Sequence, residues 1–298
     1  MLPDEQPCHK AFGPLPDEAI TPYVNATLRY DPLLVHSAAN SESSFKTPCP
    51  FYLLEHQWTR LQVARWSVLA GGKAKPSDAG LTPAHFLHGL LQAVQQWRKA
   101  PTEDEGKNGS LRIRIRSYVN GRITTEIVPT LPRSLRELFP SGFYIAPDSV
   151  TSPWTIGLDD RPTEISETTM YKTSDRAWYA RARAKAGIMT LFDPAEVLLY
   201  NTDDDVLDGT LMTPYFYRGG RWVTPSSASG GQQGTTRRWA LEHGLCIEGE
   251  VSRSSLVDGE RIWLSNAVKG FFWGVFRAKA LSGDEKAFEQ TGAIAKTL

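Results

Sequence analysis

The sequence predicts a mixed α/β protein of two domains, and three observations carry that expectation. Short segments that alternate apolar and polar residues are interleaved with runs of helical periodicity. A stretch with three prolines, residues 129–141, interrupts the pattern as a connector between a smaller unit, residues 1–128, and a larger one, residues 142–298. The 298 residues are 41% hydrophobic and include nine tryptophans, enough apolar material for two cores of ordinary size.

Residues 1–15 are rich in proline and polar groups and read as a loose arm. Residues 26–34 end a strand ahead of Pro32, and residues 40–50 read as a loop. A helix is expected over residues 55–69, where Trp58, Leu61, Val63, Ala64 and Val68 recur at helical spacing. Leu81-Thr82-Pro83 opens a second helix with Phe86, Leu90, Leu91, Val94 and Trp97 on one face. Proline suits its first turn, where a missing N–H costs nothing. Residues 103–109 are a charged surface turn. Residues 111–119 and 122–128 alternate around Asn120-Gly121, whose tolerance of positive φ favours a tight hairpin.

In the second half a strand is expected at residues 143–146, then an irregular stretch over 151–167 and a helix after Lys172 bearing Trp178, Tyr179 and Ala182. A strand at residues 196–200 leads to a turn at Asp203-Asp204-Asp205. Tyr215-Phe216-Tyr217 and Trp222-Val223 form a hairpin around Arg218-Gly219-Gly220-Arg221. The glycine-rich residues 226–234 run into a helix over residues 235–243, and strands near 246–251 and 261–264 precede the C-terminal segment.

Composition excludes several functions. Net charge is zero and the pI is near 7, unlike a dedicated polyanion-binding protein, so no nucleic-acid partner is expected. The densest basic cluster, Arg112, Arg114 and Arg116, alternates like one face of a strand. Cys8, Cys49 and Cys246 are odd in number and widely spaced, without a metal-ligand pattern, which suits reduced thiols and no metal. No apolar run is long enough to cross a membrane, and the N-terminus lacks the basic start and apolar core of a secretion signal. A cytoplasmic location is expected.

Five segments in order carry a resemblance. They are residues 53–61, similar to an "LxxHxxRL" helix start; Tyr171-Lys172 with Arg176; Glu196-Val197-Leu198-Leu199-Tyr200 leading to Val206-Leu207-Asp208-Gly209-Thr210; Trp222-Val223-Thr224-Pro225 followed by Gly234-Thr235-Thr236-Arg237; and Trp263-Leu264-Ser265-Asn266-Ala267. Together they resemble the fold-type-IV enzymes dependent on pyridoxal 5'-phosphate (PLP), the class IV aminotransferase family. Leu28-Arg29-Tyr30-Asp31-Pro32-Leu33-Leu34, the spacing from Lys172 to Arg176 and the Asn266-Ala267 pair look most like its fungal aminodeoxychorismate lyases.

The resemblance implies roles. Lys172 is the amine that holds the cofactor and later moves protons. Asp208 stands where the family places Glu, as the partner of the ring nitrogen; the bland alternative is a residue that caps a turn. Arg60, the Gly234-Thr235-Thr236 helix start and the Asn266-Ala267 turn would hold the phosphate, because a guanidinium fork and unpaired helix amides suit a dianion. His56 matches a motif position as a packing or capping residue. Arg116 and Arg29 are candidate anchors for a small acidic substrate, with strand-surface charge as the alternative. The implied reaction is elimination of pyruvate from 4-amino-4-deoxychorismate to form 4-aminobenzoate, by a homodimer. A transaminase of the same class is the runner-up, and a PLP-binding homologue without turnover is a third reading.

Overall fold

The computed structural model describes residues 22–69, 82–100, 109–119, 122–144, 152 and 154–278. The expected N-terminal arm, the turn at residues 103–108 and the Asn120-Gly121 turn lie outside them. The first half forms β1 (Tyr23–Tyr30), a 3-10 turn (Pro32–His36), α1 (Ala38–Glu42), α2 (Leu54–Ala64) with a π turn after it (Arg65–Leu69), α3 (Pro83–Lys99), β2 (Leu111–Tyr118) and β3 (Ile123–Pro129). The three strands make an antiparallel sheet in the order β1-β2-β3. Alternation along β2 buries Leu111, Ile113 and Ile115 against Leu54 and Leu61 of α2 and Phe86, Leu90 and Val94 of α3. Arg112, Arg114 and Arg116 therefore share the opposite face, beside Arg29, Thr27 and Asn25 in the β1 register. Thr82 caps α3 by accepting from the His85 amide at 3.2 Å, and Pro83 occupies its first turn as expected.

The second half adds α4 (Leu135–Leu138), β4 (Thr155–Leu158), α5 (Glu167–Met170), α6 (Ala177–Lys185), β5 (Ala195–Tyr200), β6 (Val206–Gly209), β7 (Thr213–Arg218), β8 (Arg221–Pro225), α7 (Thr235–Glu242), β9 (Ile247–Gly249), β10 (Arg261–Asn266) and β11 (Gly270–Phe276). These strands build a mixed sheet in the order β6-β5-β4-β11-β10-β7-β8-β9, in which β4 runs parallel to β5 and β11, and β8 parallel to β9. No described helix is long and apolar enough to cross a membrane.

Several elements differ from expectation. Residues 40–50 are not a plain loop. Asn40 of α1 is wholly buried, donates to the carbonyls of Cys49 and Phe51, and accepts from the Leu53 amide at 3.0 Å, fastening the segment beneath α2. Residues 151–167 contain β4, and residues 143–144 form no strand; residues 145–146 lie outside the described residues. The C-terminal segment supplies β11, Gly-Phe-Phe-Trp-Gly-Val-Phe, which lies between β4 and β10. A strand covered on both faces shows no alternation, so its sequence gives no strand period.

Arg29 ties these parts together. It is wholly buried, and its five N–H donors are all engaged: two reach Asp31, one Ser110, one the Leu131 carbonyl and one the Val268 carbonyl. The small sheet, the connector and the turn between β10 and β11 thus meet at one guanidinium. At that turn Gly270 has φ +71°, and a Cβ there would press into the Glu137 carbonyl of α4. Arg29→Met should cost about 3–5 kcal/mol in urea unfolding, because Asp31 would be left buried and unpaired. The double variant Arg29→Met/Asp31→Leu should recover much of that loss, and equal losses in both would refute a charge-pair origin.

Candidate active site

Lys172 comes from the second half of the chain but sits on the small sheet. The Asn25 amide donates to the Lys172 carbonyl at 2.7 Å, and the Ser174 amide to the Tyr23 carbonyl at 2.8 Å. The Asn25 side chain adds a bond to the Thr173 carbonyl at 3.2 Å. This bridge aims the Lys172 side chain at the polar face of β1, where Nζ donates to Thr27 Oγ1 at 3.0 Å. Burial, then the charges of Arg60, Arg176, Arg114 and Arg112, hold its pKa well below the ordinary lysine value. The shift favours the uncharged amine, the form that attacks a carbonyl carbon or accepts a proton.

Asp208 lies in β6, paired with Leu199 of β5. Burial first, and then neighbouring Glu196, push its carboxyl up to about 7, against the opposing pull of the Gly209 amide, Arg176 and Arg60. Glu196 is itself wholly buried and accepts from the Val197 amide (2.8 Å), the Thr210 amide (2.9 Å) and hydroxyl (2.5 Å), and the Leu211 amide (3.0 Å). Those bonds fix the turn after Asp208. The glycine-rich loop packs on the same strand so closely that a Cβ at Gly231 would overlap the Leu207 carbonyl. Only glycine permits that approach.

A cationic end faces this carboxyl. Arg60, on the second turn of a helix that starts at Leu54, donates to Gln232 Oε1 at 2.7 Å, and burial lowers its pKa to about 10. The Arg176 guanidinium stacks 3.5 Å from the Tyr179 ring centroid, and its buried Nη1 has no hydrogen-bond partner among the described residues. The loop then enters α7 at Gly234, which supplies no side-chain cap. The first amides of α7 have no acceptor within the helix and point outward as a site for an anion. Thr235 and Thr236 are almost fully buried there.

The predicted residues divide into groups. Lys172, Arg60 and Asp208 are linked electrostatically through Arg176, and Gly234, Thr235 and Thr236 lie at the end of the loop that holds Arg60. Asn266 and Ala267 form the turn after β10. The Asn266 Oδ1 accepts from the Val268 and Lys269 amides at 3.0 and 2.8 Å, so this side chain organises the turn instead of projecting from it. Arg116 donates to Glu126 at 2.7 Å on the face that also carries Thr27. Arg29 does not suit the substrate-anchor role, because it has no donor left. His56 is buried and pairs with Glu242 of α7 at 3.2 Å, while Gln57, three residues before Arg60, bonds Thr235 at the start of the same helix. One residue of register separates them, and a helix turns through about 100° per residue.

Sequence reasoning missed Thr27, Gln57, Tyr179, Glu196 and Gln232 as site residues. Tyr179 and Gln232 had a readable signal: each stands one helical turn or one loop step from a residue already singled out. Thr27 had none, since only the bridge between β1 and residues 172–174 brings it to Lys172.

Residues 82–273 match the amino-transferase class IV family, and the chain belongs to it. Over 129 residues, 42% of the chain, it is 33% identical to a protein of Schizosaccharomyces pombe provisionally named an aminodeoxychorismate lyase. Over 154 residues, 47% of the chain, it is 30% identical to the aminodeoxychorismate lyase of Saccharomyces cerevisiae. The matched stretches cover 55% and 40% of those two proteins, so the chain spans about half the length of the curated relatives it matches. The fold is that of a hypothetical aminotransferase from Mycobacterium tuberculosis solved with α-ketoglutarate and PMP bound, with a TM-score of 0.55 at 17% identity over 92% of this chain and 87% of that one.

A carboxyl whose pKa rises on folding binds its proton more tightly folded than unfolded. The contribution of Asp208 therefore favours folding at acid pH and opposes it as the pH climbs from about 4 to about 7. In the cofactor-free protein Asp208→Asn should add stability at pH 8, at most about 4 kcal/mol, and almost nothing at pH 4. Urea unfolding at both pH values measures the difference, and an unchanged gap between them would contradict a desolvated carboxyl.

Proposed function

We propose that this chain is a PLP-dependent 4-amino-4-deoxychorismate lyase, releasing pyruvate and 4-aminobenzoate. The observation that carries the reading is the buried Lys172 amine, bonded to Thr27 Oγ1 and lowered in basicity by burial and a field of guanidinium groups, two of which, Arg60 and Arg176, also act on the raised carboxyl of Asp208. The names of the two fungal relatives support the choice of reaction within the family.

The residues fit the cofactor. An uncapped helix start, a buried Arg176 Nη1 without a partner among the described residues and a low-basicity amine are each explained by an anionic, carbonyl-bearing ligand. When bound, PLP supplies an electron-poor ring that stabilises negative charge on the carbon beside a substrate nitrogen. Lys172 would hold its carbonyl carbon, Asp208 would face its ring nitrogen, and Arg60 with the start of α7 would hold its phosphate. Asp208 has a shorter arm than the Glu usual in the family. A cation such as a protonated ring nitrogen beside the raised carboxyl would favour its ionised form further.

Once freed, Lys172 removes the proton from the ring carbon beside the substrate nitrogen and returns one to the departing enolpyruvyl group. Thr27 Oγ1, 3.0 Å from Nζ, orients the amine between those tasks. Arg112, Arg114 and Arg116, on the same face as Thr27, supply cationic partners for a substrate with two carboxylates, with Glu126 bonded to Arg112 and Arg116 beforehand. Aromatisation drives the elimination, so the protein contributes orientation and proton handling. The resemblance extends this reading to a homodimer.

The purified protein with PLP should show a visible absorption band that Lys172→Ala loses or shifts, and should produce pyruvate and 4-aminobenzoate from aminodeoxychorismate. Conversion of the bound PLP to pyridoxamine phosphate by an amino donor, with no effect of aminodeoxychorismate, would instead indicate a transaminase. A colourless protein that takes up no PLP would refute both.

A further inference from the structure

Behind the two threonines that open α7 lies a second layer of buried polar groups. Gln57, 0% exposed, donates from Nε2 to Thr235 Oγ1 at 2.9 Å and to the Thr27 carbonyl at 3.3 Å. Ser265, 1% exposed, donates to Thr236 Oγ1 at 2.8 Å and shares a 2.7 Å contact with the wholly buried Tyr215 phenol. An amide nitrogen can only donate. A serine hydroxyl has one proton, and Ser265 gives it to Thr236, so the Tyr215 phenol must be the donor to Ser265.

Both threonine oxygens thus receive a hydrogen bond from inside the protein. Each has one proton of its own, which has to leave in another direction. Gly234 offers no side-chain acceptor there, and the amides at the helix start are donors too. Beside Gly234 stands the Thr213 hydroxyl, itself a proton carrier, and neither threonine hydroxyl donates to an acceptor among the described residues, so the end of the loop presents hydroxyl and amide protons. A fully ionised phosphate ester accepts at all three terminal oxygens, whereas the monoanion carries a P–O–H proton that would meet another donor.

We propose that Gln57 and the Tyr215–Ser265 relay are positioning residues that lock the Thr235 and Thr236 hydroxyls as donors, so that the helix start selects a dianionic phosphate ester. This rests on the PLP reading and deepens it. Gln57 has a second consequence: by bonding the backbone of Thr27 and the side chain of Thr235, it fixes the spacing between the strand that orients Lys172 and the phosphate end. Its Oε1 is buried and has no hydrogen-bond partner among the described residues, so the amide is retained for its donor alone.

The test compares PLP with pyridoxal, which has the same carbonyl and ring but no phosphate, in the full-length protein carrying Gln57→Met, Ser265→Ala or Ser265→Thr. Affinity is read from absorbance titrations, and the ionisation of the bound phosphate from its 31P resonance across pH 5 to 8. Ser265→Ala and Gln57→Met should each weaken PLP about tenfold. Pyridoxal uptake should remain within about twofold, which also shows that the variant is folded. Ser265→Thr keeps the hydroxyl and should keep wild-type affinity. The 31P resonance should stay constant with pH in the wild-type protein and titrate in the weakened variants. Equal weakening of PLP and pyridoxal, or no weakening of either, would overturn the relay. A wild-type protein that takes up neither ligand would overturn the functional reading, and the relay with it. Should Gln57→Met not fold, the two Ser265 variants decide the outcome between them.

Discussion

The backbone bridge between β1 and residues 172–174 is the contact on which the site depends. Two amide bonds and one carboxamide bond join segments roughly 150 positions apart, and they place Lys172 on a sheet to which its own half of the chain contributes no strand. Thr27 and the β2 arginines become neighbours of the amine only through that bridge. Without it the lysine would belong to a surface turn, hydrated and charged.

The site is also a collection of charges that water no longer screens. Arg60, Arg176, Arg112 and Arg114 all act on one lysine, and a carboxyl between them is kept from ionising freely by the same burial. Such an arrangement is costly in a folded protein unless a ligand completes it. An anion at the start of α7 and a cation beside Asp208 would each relieve part of that cost. Affinity for the ligand and the cost of gathering these charges are two expressions of the same desolvation.

Much of this was legible in the sequence where a local rule governs. Pro83 and Thr82 announced α3, the alternation of Ile113 and Ile115 with arginines announced β2, and the glycines before Thr235 announced the loop feeding α7. Lys172, Arg60 and Asp208 stood out because motif order ties them together. Other features obey no local rule. The apolar run of β11 has no period because both its faces are covered, and β4 is too short to declare itself. Arg29 looked like a free cation, yet its partners Ser110, Leu131 and Val268 are distant in sequence. Gln57 was hidden by a neighbouring histidine one residue out of register.

The long-range bridge also has a bearing on how the molecule comes into being. β1 leaves the ribosome before its partner segment, which follows after some 150 further residues, and closing so long a loop is entropically costly and slow. The small sheet can pair and cover its core on α2 and α3 in the meantime, since those contacts are local to the first half. The reactive amine acquires its low basicity only when the two halves dock. A nascent chain therefore carries an ordinary, protonated lysine, and its reactivity toward carbonyl compounds appears as one of the last events of folding.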